Sequence, residues 1–329
     1  MTNTEQRPKV FVTRLIPEAG MQLLRESCDV EVNPEDRVLS REELIAGVKE
    51  ADALLCLLTD TIDEELLAVN PNLKVVSNYA VGYNNIDVQA ATKRGIPVCN
   101  TPGVLTDATA DTAWALLMAA ARRVVEADRF VREGKFKGWG PMLMLGADVT
   151  GKTLGLVGMG RIGQAMAQRA TGFEMKILYY DVQRYPEAEE KYGAVYRPLE
   201  ELLAESDFVS LHVPLLPSTH HIIGEKELEL MKPSAILVNS ARGPLIDEAA
   251  LVKALQERKI AAAGLDVFEN EPELAEGLAE LDNVVLLPHL GSATYDTRDR
   301  MAVLAANNLL AVLRNESPAH CVNPEVLQK

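Results

Sequence analysis

The sequence has no long apolar run and only four cysteines. No stretch of about eighteen apolar residues occurs, so a membrane-spanning helix is not expected. The N-terminal MTNTEQRPKV lacks the apolar core of a secretory signal. The cysteines (Cys28, Cys56, Cys99 and Cys321) share no Cys-x-x-Cys spacing, which favours reduced core thiols over disulfides or zinc ligands. We therefore expect a cytoplasmic protein with no membrane partner.

Positive charge is also scarce. The chain has 48 acidic residues against 33 lysines and arginines, a net charge of −15. Such a surface would repel the phosphates of a nucleic acid, so no nucleic-acid partner is expected. An anionic metabolite is still compatible, because local charges and helix dipoles can outweigh the global sign.

Short apolar runs alternate with amphipathic segments in two series along the 329 residues. Strand-helix alternation predicts parallel sheets covered by helices, and hence an α/β protein with two Rossmann/flavodoxin-like domains. The predicted strands are residues 10–13, 30–32, 53–58, 74–79 and 97–100 in the first series, and 153–157, 176–180, 208–213, 235–239, 261–267 and 283–287 in the second.

A long helix, predicted from Thr106 to about residue 133, separates the two series, and a last helix is predicted over residues 294–314. The six strands of the second series already suffice for a nucleotide-binding sheet. We therefore expect the last helix to pack on the N-terminal domain, which makes that domain discontinuous. The predicted domains are residues 1–101 plus 292–329, binding substrate, and 102–291, binding NAD(P).

The segment GKFKGWGPMLMLGADVTG, residues 134–151, is apolar and interrupted by glycine and proline. It contains Trp139 and Met142, and would be poorly soluble if left exposed. It predicts a subunit contact or the rim of a pocket. Its residues 146–153 also match a P-loop, but they precede a predicted strand instead of opening a helix, so we interpret the match as chance.

The sequence Gly158-Met-Gly-Arg-Ile-Gly163 follows the predicted strand TLGLV and opens a helical pattern. Glycines at this spacing permit a tight turn and close approach of a pyrophosphate to a helix N-terminus. The next strand ends in Asp181, where a carboxylate can accept hydrogen bonds from the ribose hydroxyls and repel a 2′-phosphate. Arg184 could tolerate that phosphate, so NAD is favoured while NADP stays possible.

Three further motifs follow predicted strands of the second series: NSARG with Arg242, DVFENEP with Glu271, and PHLG with His289. Each residue alone has an ordinary structural interpretation, as an ion-pair arginine, a solvated acid or a core histidine. Parallel strands bring their carboxyl ends to one edge, so the three are expected to converge. Together they could bind a carboxylate and transfer a proton near neutral pH. No pair among the remaining histidines has a metal-ligand companion in the sequence, so no metal is predicted.

GMGRIG, NSARG, DVFENEP and LLPHLGSAT, in this order and spacing, resemble the D-2-hydroxyacid dehydrogenase family, most of all its glyoxylate/hydroxypyruvate reductases. The resemblance extends over nearly the whole chain, including AVGYNNID and VLTDATAD. It implies that Arg242 holds the substrate, His289 donates the proton and Glu271 supports the histidine. It also implies that the backbone of Val81 and Gly82 receives the substrate carboxylate.

The resemblance further implies a homodimer, with Trp139 reaching a neighbouring subunit's pocket. The residues predicted to bind the cofactor, from the fingerprint and the resemblance together, are Thr106, Gly158, Gly160, Arg161, Ile162, Gly163, Asp181, Val213, Pro214, Thr219, Ala241, Asp266 and Gly291.

Four alternatives stay open within or beside this prediction. The chain could act on D-lactate or D-glycerate, or oxidise phosphite, although phosphite enzymes typically carry a lysine where Val81 stands. A fourth, non-enzymatic alternative is a dinucleotide-sensing corepressor, since such proteins share the scaffold. Reduction of a small 2-keto acid to the 2-hydroxy acid is the favoured prediction.

Overall fold

The computed structural model describes residues 7–328, which form two compact units. Unit 1 is Met1–Leu105 with Ala293–Lys329, and unit 2 is Thr106–Ser292. Residues 1–6, where most of the N-terminal signal prediction falls, and residue 329 lie outside the described residues. Within the described part of the chain, no helix is long and apolar enough to cross a membrane.

Unit 1 contains a parallel sheet of five strands in the order β2-β1-β3-β4-β5. Its strands are β1 (Lys9–Val12), β2 (Asp29–Val32), β3 (Ala53–Cys56), β4 (Val75–Asn78) and β5 (Val98–Cys99). Its helices are α1 (Glu18–Ser27), α2 (Arg41–Val48), α3 (Glu64–Val69), α4 (Val88–Lys93) and, numbered in chain order, α12 (Tyr295–Leu313). Strands β3 and β4 are buried over their whole length, which explains why they read as continuous apolar runs.

Helix α12 completes unit 1, as predicted. Thr294 caps its start by accepting from the N–H of Thr297, and the helix packs on α1 and β4. The approach to α1 is close, since a Cβ at Gly20 would lie 2.6 Å from the carbonyl oxygen of Ala302. Helix α2 begins with a capping box, in which the Ser40 side chain accepts from the N–H of Glu43 and the Glu43 side chain accepts from the N–H of Ser40.

Unit 2 contains a parallel sheet of seven strands in the order β12-β11-β10-β9-β6-β7-β8. Its strands are β6 (Thr153–Val157), β7 (Lys176–Tyr180), β8 (Val195–Tyr196), β9 (Phe208–Leu211), β10 (Ile236–Asn239), β11 (Ala262–Leu265) and β12 (Val284–Leu286). Its helices are α5 (Thr106–Ala121), α6 (Val124–Arg132), α7 (Arg161–Thr171), α8 (Pro186–Tyr192), α9 (Leu199–Glu205), α10 (Glu225–Leu230) and α11 (Glu248–Gln256). The two-residue edge strand β8 was not predicted, because it is too short to show a pattern.

The prediction of one long helix from Thr106 to residue 133 is wrong. The chain breaks at Arg123, whose φ is +53°, and α6 begins after it. The cause lies in a distant loop, because the N–H of Ala147 donates to the carbonyl of Ala121 at 2.8 Å. Residues 146–152 then lead into strand β6, so the P-loop match is indeed a chance one.

Candidate active site

The glycine-rich loop between β6 and α7 is shaped by its three glycines. Gly158 has φ +104°, and a Cβ there would lie 2.7 Å from the carbonyl carbon of His212. A Cβ at Gly163 would lie 2.1 Å from the carbonyl oxygen of Gly158, so only glycine lets the helix pack this closely. At Gly160, by contrast, a Cβ would meet no atom within 4 Å. The space beside Gly160 fits the close approach of a pyrophosphate.

Helix α7 begins directly after Gly160, which is its N-cap residue, so Arg161 and Ile162 form the first turn. An α-helix start carries N–H groups without intrahelical partners and a partial positive charge, which together bind an anion. The loop and the helix therefore fit the phosphates of a dinucleotide.

Asp181 follows β7 and is fixed beside the same loop. Its Oδ2 accepts from the N–H of Met159 at 2.8 Å. Arg184, the residue that could tolerate a 2′-phosphate, forms a two-pronged pair with Glu189 at 2.7 Å for both bonds. Its guanidinium also lies over the ring of Tyr196. The guanidinium is thus engaged with Glu189, while the Asp181 carboxylate lies at the loop.

Arg242, Glu271 and His289 lie at the carboxyl edge of the sheet. They follow β10, β11 and β12, which are neighbours in the strand order. The predicted convergence of the motifs therefore has its structural basis in three adjacent parallel strands.

His289 and Glu271 form a hydrogen-bonded pair, with Nδ1 and Oε2 3.0 Å apart and side-chain exposures of 28% and 31%. Burial alone would raise the pKa of Glu271, but the hydrogen bond and charge of His289, the N–H of Phe268 and the charge of Arg242 together lower it. Glu271 is therefore a carboxylate at neutral pH and accepts the proton on Nδ1 of His289. This assignment leaves Nε2 as the ring nitrogen that is available for proton transfer.

Arg242 is partly buried, and its desolvation lowers the pKa of the guanidinium, although the charge of Glu271 opposes that shift. Its Nη1 donates to the carbonyl of Ala241 at 2.7 Å, and its own carbonyl accepts from Asn239 at 2.8 Å. These bonds hold the backbone and the fork of the arginine at the end of β10. A guanidinium held in this way suits two-pronged binding of a carboxylate.

The turn that carries His289 is organised by Asp266, which is fully buried at the end of β11. Its two carboxylate oxygens accept from the N–H groups of Leu290 and Gly291 at 2.6 and 2.7 Å. His289 itself has φ +57°, a conformation that a side chain other than glycine rarely adopts. Burial raises the pKa of Asp266, while the two N–H groups and the charge of His289 oppose the rise. Asp266 thus holds the left-handed turn, a role that sequence reasoning missed.

The loop that carries Glu271 is clamped by two residues that were not predicted. The N–H of Glu269 donates to Glu248 at 2.7 Å, and the N–H of Glu248 donates back to Glu269 at 3.2 Å. Gly243 permits this clamp, because a Cβ there would lie 1.9 Å from the carbonyl of Phe268. The role of Glu248 and Glu269 is evident only from the folded structure, because the two residues are distant in sequence and meet only there.

The remaining histidines of unit 2 also find partners there. Nε2 of His221 lies 2.5 Å from Glu269, and the ring of His220 stacks on that of His221 with centroids 4.0 Å apart. The prediction that no histidine pair has another potential ligand beside it is therefore wrong, since the ligand atoms of all three lie within 4.8 Å of one another. The prediction that the protein binds no metal stays a prediction. Burial lowers the pKa of His212 to about 3, so that ring is neutral.

The other residues predicted to line the cofactor have varied positions within unit 2. Val213 and Pro214 lie two and three residues after the end of β9, and Thr219 fixes their loop by donating to the carbonyl of Pro214 at 2.7 Å. Ala241 is partly buried, next to Arg242. Thr106 is the first residue of α5, one turn before Thr109, whose side chain lies 3.4 Å from the Cβ position of Gly291.

Val81 and Gly82, predicted to receive the substrate carboxylate, belong to unit 1. Their carbonyls accept from the side-chain amides of Asn100 and Asn78, both at 2.8 Å, so both peptide groups are fixed. Trp139, in unit 2, is 85% exposed. The functional roles of these three residues stay predictions.

The chain is similar to known proteins over most of its length. The family model described as "D-isomer specific 2-hydroxyacid dehydrogenase, NAD binding domain" matches residues 114–291. A glyoxylate reductase from Thermococcus litoralis is 57% identical over 325 residues, covering 98% of each chain.

Two solved structures are similar over most of their length. A glyoxylate reductase from Paecilomyes thermophila is 37% identical, with TM-score 0.87 and coverage of 97% of this chain and 99% of that one. An NADPH-dependent glyoxylate/hydroxypyruvate reductase from Sinorhizobium meliloti, in complex with NADP and malonate, is 34% identical, with TM-score 0.86 and coverage of 96% and 97%. The chain belongs to the D-isomer specific 2-hydroxyacid dehydrogenase family, and residues 114–291 match the NAD-binding domain of that family.

Proposed function

We propose that this protein reduces a small 2-keto acid, glyoxylate or hydroxypyruvate, to the 2-hydroxy acid with a nicotinamide cofactor. The observation that carries the proposal is the His289–Glu271 pair, 3.0 Å apart at the carboxyl edge of the sheet that bears the dinucleotide loop. The glyoxylate reductase from Thermococcus litoralis, 57% identical, supports the choice of substrate.

The proposed reaction divides the work among three side chains. When bound, the nicotinamide supplies the hydride that reduces the keto carbon. Arg242 binds the anionic substrate and holds its carbonyl in position. Nε2 of His289 donates a proton to the keto oxygen as negative charge develops there, and the ionised Glu271 stabilises the protonated imidazole through Nδ1. We assign the substrate carboxylate to the N–H groups of Val81 and Gly82, whose carbonyls are already held by asparagine amides.

Steady-state rates with NADH and NADPH against glyoxylate, hydroxypyruvate and pyruvate test the proposal. We expect turnover of the first two, with NADH preferred. A folded protein that binds NADH but turns over no 2-keto acid would support the corepressor alternative instead. Preferred reduction of pyruvate, or oxidation of phosphite with NAD, would support one of the other dehydrogenases.

The preference for NAD rests on Asp181, whose carboxylate lies at the dinucleotide loop while Arg184 is paired with Glu189. Asp181→Asn keeps the oxygen that accepts from Met159 but removes the charge that repels a 2′-phosphate. We expect the ratio of kcat/KM for NADH over NADPH to fall about tenfold, equivalent to about 1.4 kcal/mol. Asp148→Asn, at an exposed position, is the control and should leave the ratio unchanged. An unchanged ratio in Asp181→Asn would remove Asp181 as the determinant.

We propose a homodimer that forms through the segment of residues 124–145, which comprises helix α6 and most of the loop predicted as a subunit contact, residues 134–151. Helix α6 in this segment has no buried residue, and Val131, Trp139, Met142 and Leu145 are each more than half exposed. An apolar surface of this extent is typical of a protein interface. We also assign Trp139 to the partner's substrate pocket, and we place the protein in the cytoplasm, consistent with its free thiols.

Sedimentation equilibrium tests the homodimer. The wild type should have twice the monomer mass, and Met142→Glu should shift the equilibrium towards the monomer. Tyr295→Glu, at a residue that is 93% exposed outside the segment, should stay dimeric. A monomeric wild type would contradict this assignment.

A further inference from the structure

Two of the four thiols lie directly opposite each other in unit 1. Cys99 is the last residue of strand β5, and Cys321 belongs to the C-terminal segment after α12; an isolated antiparallel bridge pairs the two residues. The N–H of Val322 donates to the carbonyl of Val98 at 2.7 Å, just beyond the pair. This pattern identifies a non-hydrogen-bonded pair, in which the two Cα atoms are about 4.5 Å apart and the side chains lie on the same face.

The separation typical of such a pair is suitable for a covalent link, because disulfides join residues whose Cα atoms are roughly 4.4–6.8 Å apart. Both residues carry free thiols. We propose that Cys99 and Cys321 form a reversible disulfide when the protein meets a hydroperoxide.

The two thiols differ in a way that assigns their roles. Cys99 is fully buried, whereas Cys321 is partly exposed and is the one that a small oxidant reaches. The hydrogen bond from the Cys99 thiol lowers the pKa of Cys321 to about 7, and burial opposes that shift. The same hydrogen bond, together with burial, raises the pKa of Cys99. Cys321 therefore supplies the attacking thiolate, and Cys99 is the resolving thiol.

The oxidation balances in two steps. The Cys321 thiolate attacks one oxygen of hydrogen peroxide, the O–O bond breaks, and hydroxide leaves as the sulfenic acid forms. The Cys99 sulfur then attacks the Cys321 sulfur, its proton passes to the departing hydroxyl, and water leaves. Both sulfurs are oxidised by one electron each, and the peroxide is reduced to one water and one hydroxide; the hydroxide becomes a second water by taking up the proton that the Cys321 thiol released on ionising.

The link would join the two chain segments from which unit 1 is built. Residues 100–320, which include the whole of unit 2, would lie inside the closed loop. Stabilisation by a disulfide grows with the length of the loop it closes, because the unfolded chain loses more freedom. At present noncovalent contacts hold these segments together, among them the bond from Asn308 to the carbonyl of Asn100 at 3.0 Å.

Thiol counting by mass spectrometry tests the proposal. The reduced, desalted protein is treated with hydrogen peroxide, denatured, alkylated with iodoacetamide and digested. We expect two of the four thiols to escape alkylation, a peptide linking Cys99 to Cys321, and the mobility of a single chain on a non-reducing gel. Dithiothreitol should restore all four thiols.

Variants separate this pair from the other cysteines. Cys28→Ser should still lose two thiols, whereas Cys321→Ser, changed at a partly exposed and therefore tolerant position, should lose none. Oxidation should raise the Tm of the wild type by on the order of 5 °C and leave that of Cys321→Ser unchanged. Four alkylated thiols after oxidation, a Cys321 sulfinic acid without a cross-link, or a disulfide-linked dimer would overturn the proposal.

Discussion

In unit 1 buried amides join distant parts of the chain, whereas in unit 2 buried carboxylates hold the loops that carry reactive side chains. Asn323 is buried and accepts from the N–H of Val98 at 2.8 Å while donating to the carbonyl of Ile96 at 2.9 Å. Asp266 is equally buried, but its two acceptors fix the turn that contains His289. A buried polar group destabilises the fold unless all its hydrogen bonds are made, so each of these side chains requires one specific geometry. In unit 1 that geometry joins distant chain segments, and in unit 2 it positions the reactive side chains.

The comparison predicts that damage to the reactive side chains of unit 2 affects rate but not stability. His289→Ala should lower kcat for glyoxylate by about 10²–10⁴-fold, because the proton donor is lost. NADH binding, measured by fluorescence titration, and Tm should stay close to those of the wild type. His320→Ala, at a partly exposed histidine of unit 1, is the control. If activity survives in His289→Ala, the proton donor is another group.

The reverse effect is expected in unit 1. Asn323→Ala leaves the N–H of Val98 and the carbonyl of Ile96 unpaired and buried, and should lower the free energy of unfolding by roughly 2–4 kcal/mol. Urea unfolding measures the loss, and kcat should be retained at a temperature where the variant is folded. Asn72→Ala, at an exposed turn of unit 1, should have little effect. Equal stability of Asn323→Ala and the wild type would refute the assembly role.

A smaller effect on the rate is expected from a change at Glu271, because this residue acts through His289. Because its pKa is lowered in the fold, Glu271 is ionised above that value, and its support for the imidazole is lost only as pH falls through it. Glu271→Gln removes the charge at all pH values. We expect kcat for reduction to fall over the whole pH range, because the protonated imidazole loses the carboxylate that stabilises it. A profile identical to that of the wild type would show that Glu271 has no such role.

The smallest effect concerns the capping box of α2 in unit 1. The hydrogen bond from Arg37, helped by the N–H of Ser40, lowers the pKa of Glu43 to about 2. The carboxylate's contribution to stability is therefore present above its unfolded-state pKa and is lost as pH falls towards 2. Ser40→Ala should lower the free energy of unfolding at neutral pH by about 1 kcal/mol, and Ser218→Ala in an exposed turn should not. Urea unfolding of both variants at neutral pH makes the comparison.

The periodicity of the chain predicted most of the fold. Buried parallel strands show as apolar runs, and eleven of the strands overlap the predicted segments. The edge strand β8 and the break at Arg123 could not be predicted. One has only two residues, and the other depends on a carbonyl of Ala121 that accepts from Ala147, a contact that exists only after folding.

The site divides in the same way. Arg242, Glu271 and His289 were predictable, because each follows an apolar run and adjacent parallel strands end together. Glu248, Glu269 and the organising role of Asp266 were not, since their partners are backbone N–H groups of other loops. A residue whose role follows from its own side-chain chemistry can be predicted from the sequence. A residue whose role depends on its contacts with other loops can be identified only in the folded structure.

The division of unit 1 between the two ends of the chain also sets an order of events during synthesis. Its first 105 residues leave the ribosome early, but Asn308, Cys321 and Asn323 follow only after all of unit 2 has been made. At about 5–20 residues per second, that interval lasts on the order of ten to forty seconds. During it, the faces of α1 and β4 that later contact α12 have no partner from their own chain. The unit begun first is thus finished last, and its faces on α1 and β4 stay uncovered until α12 has been made.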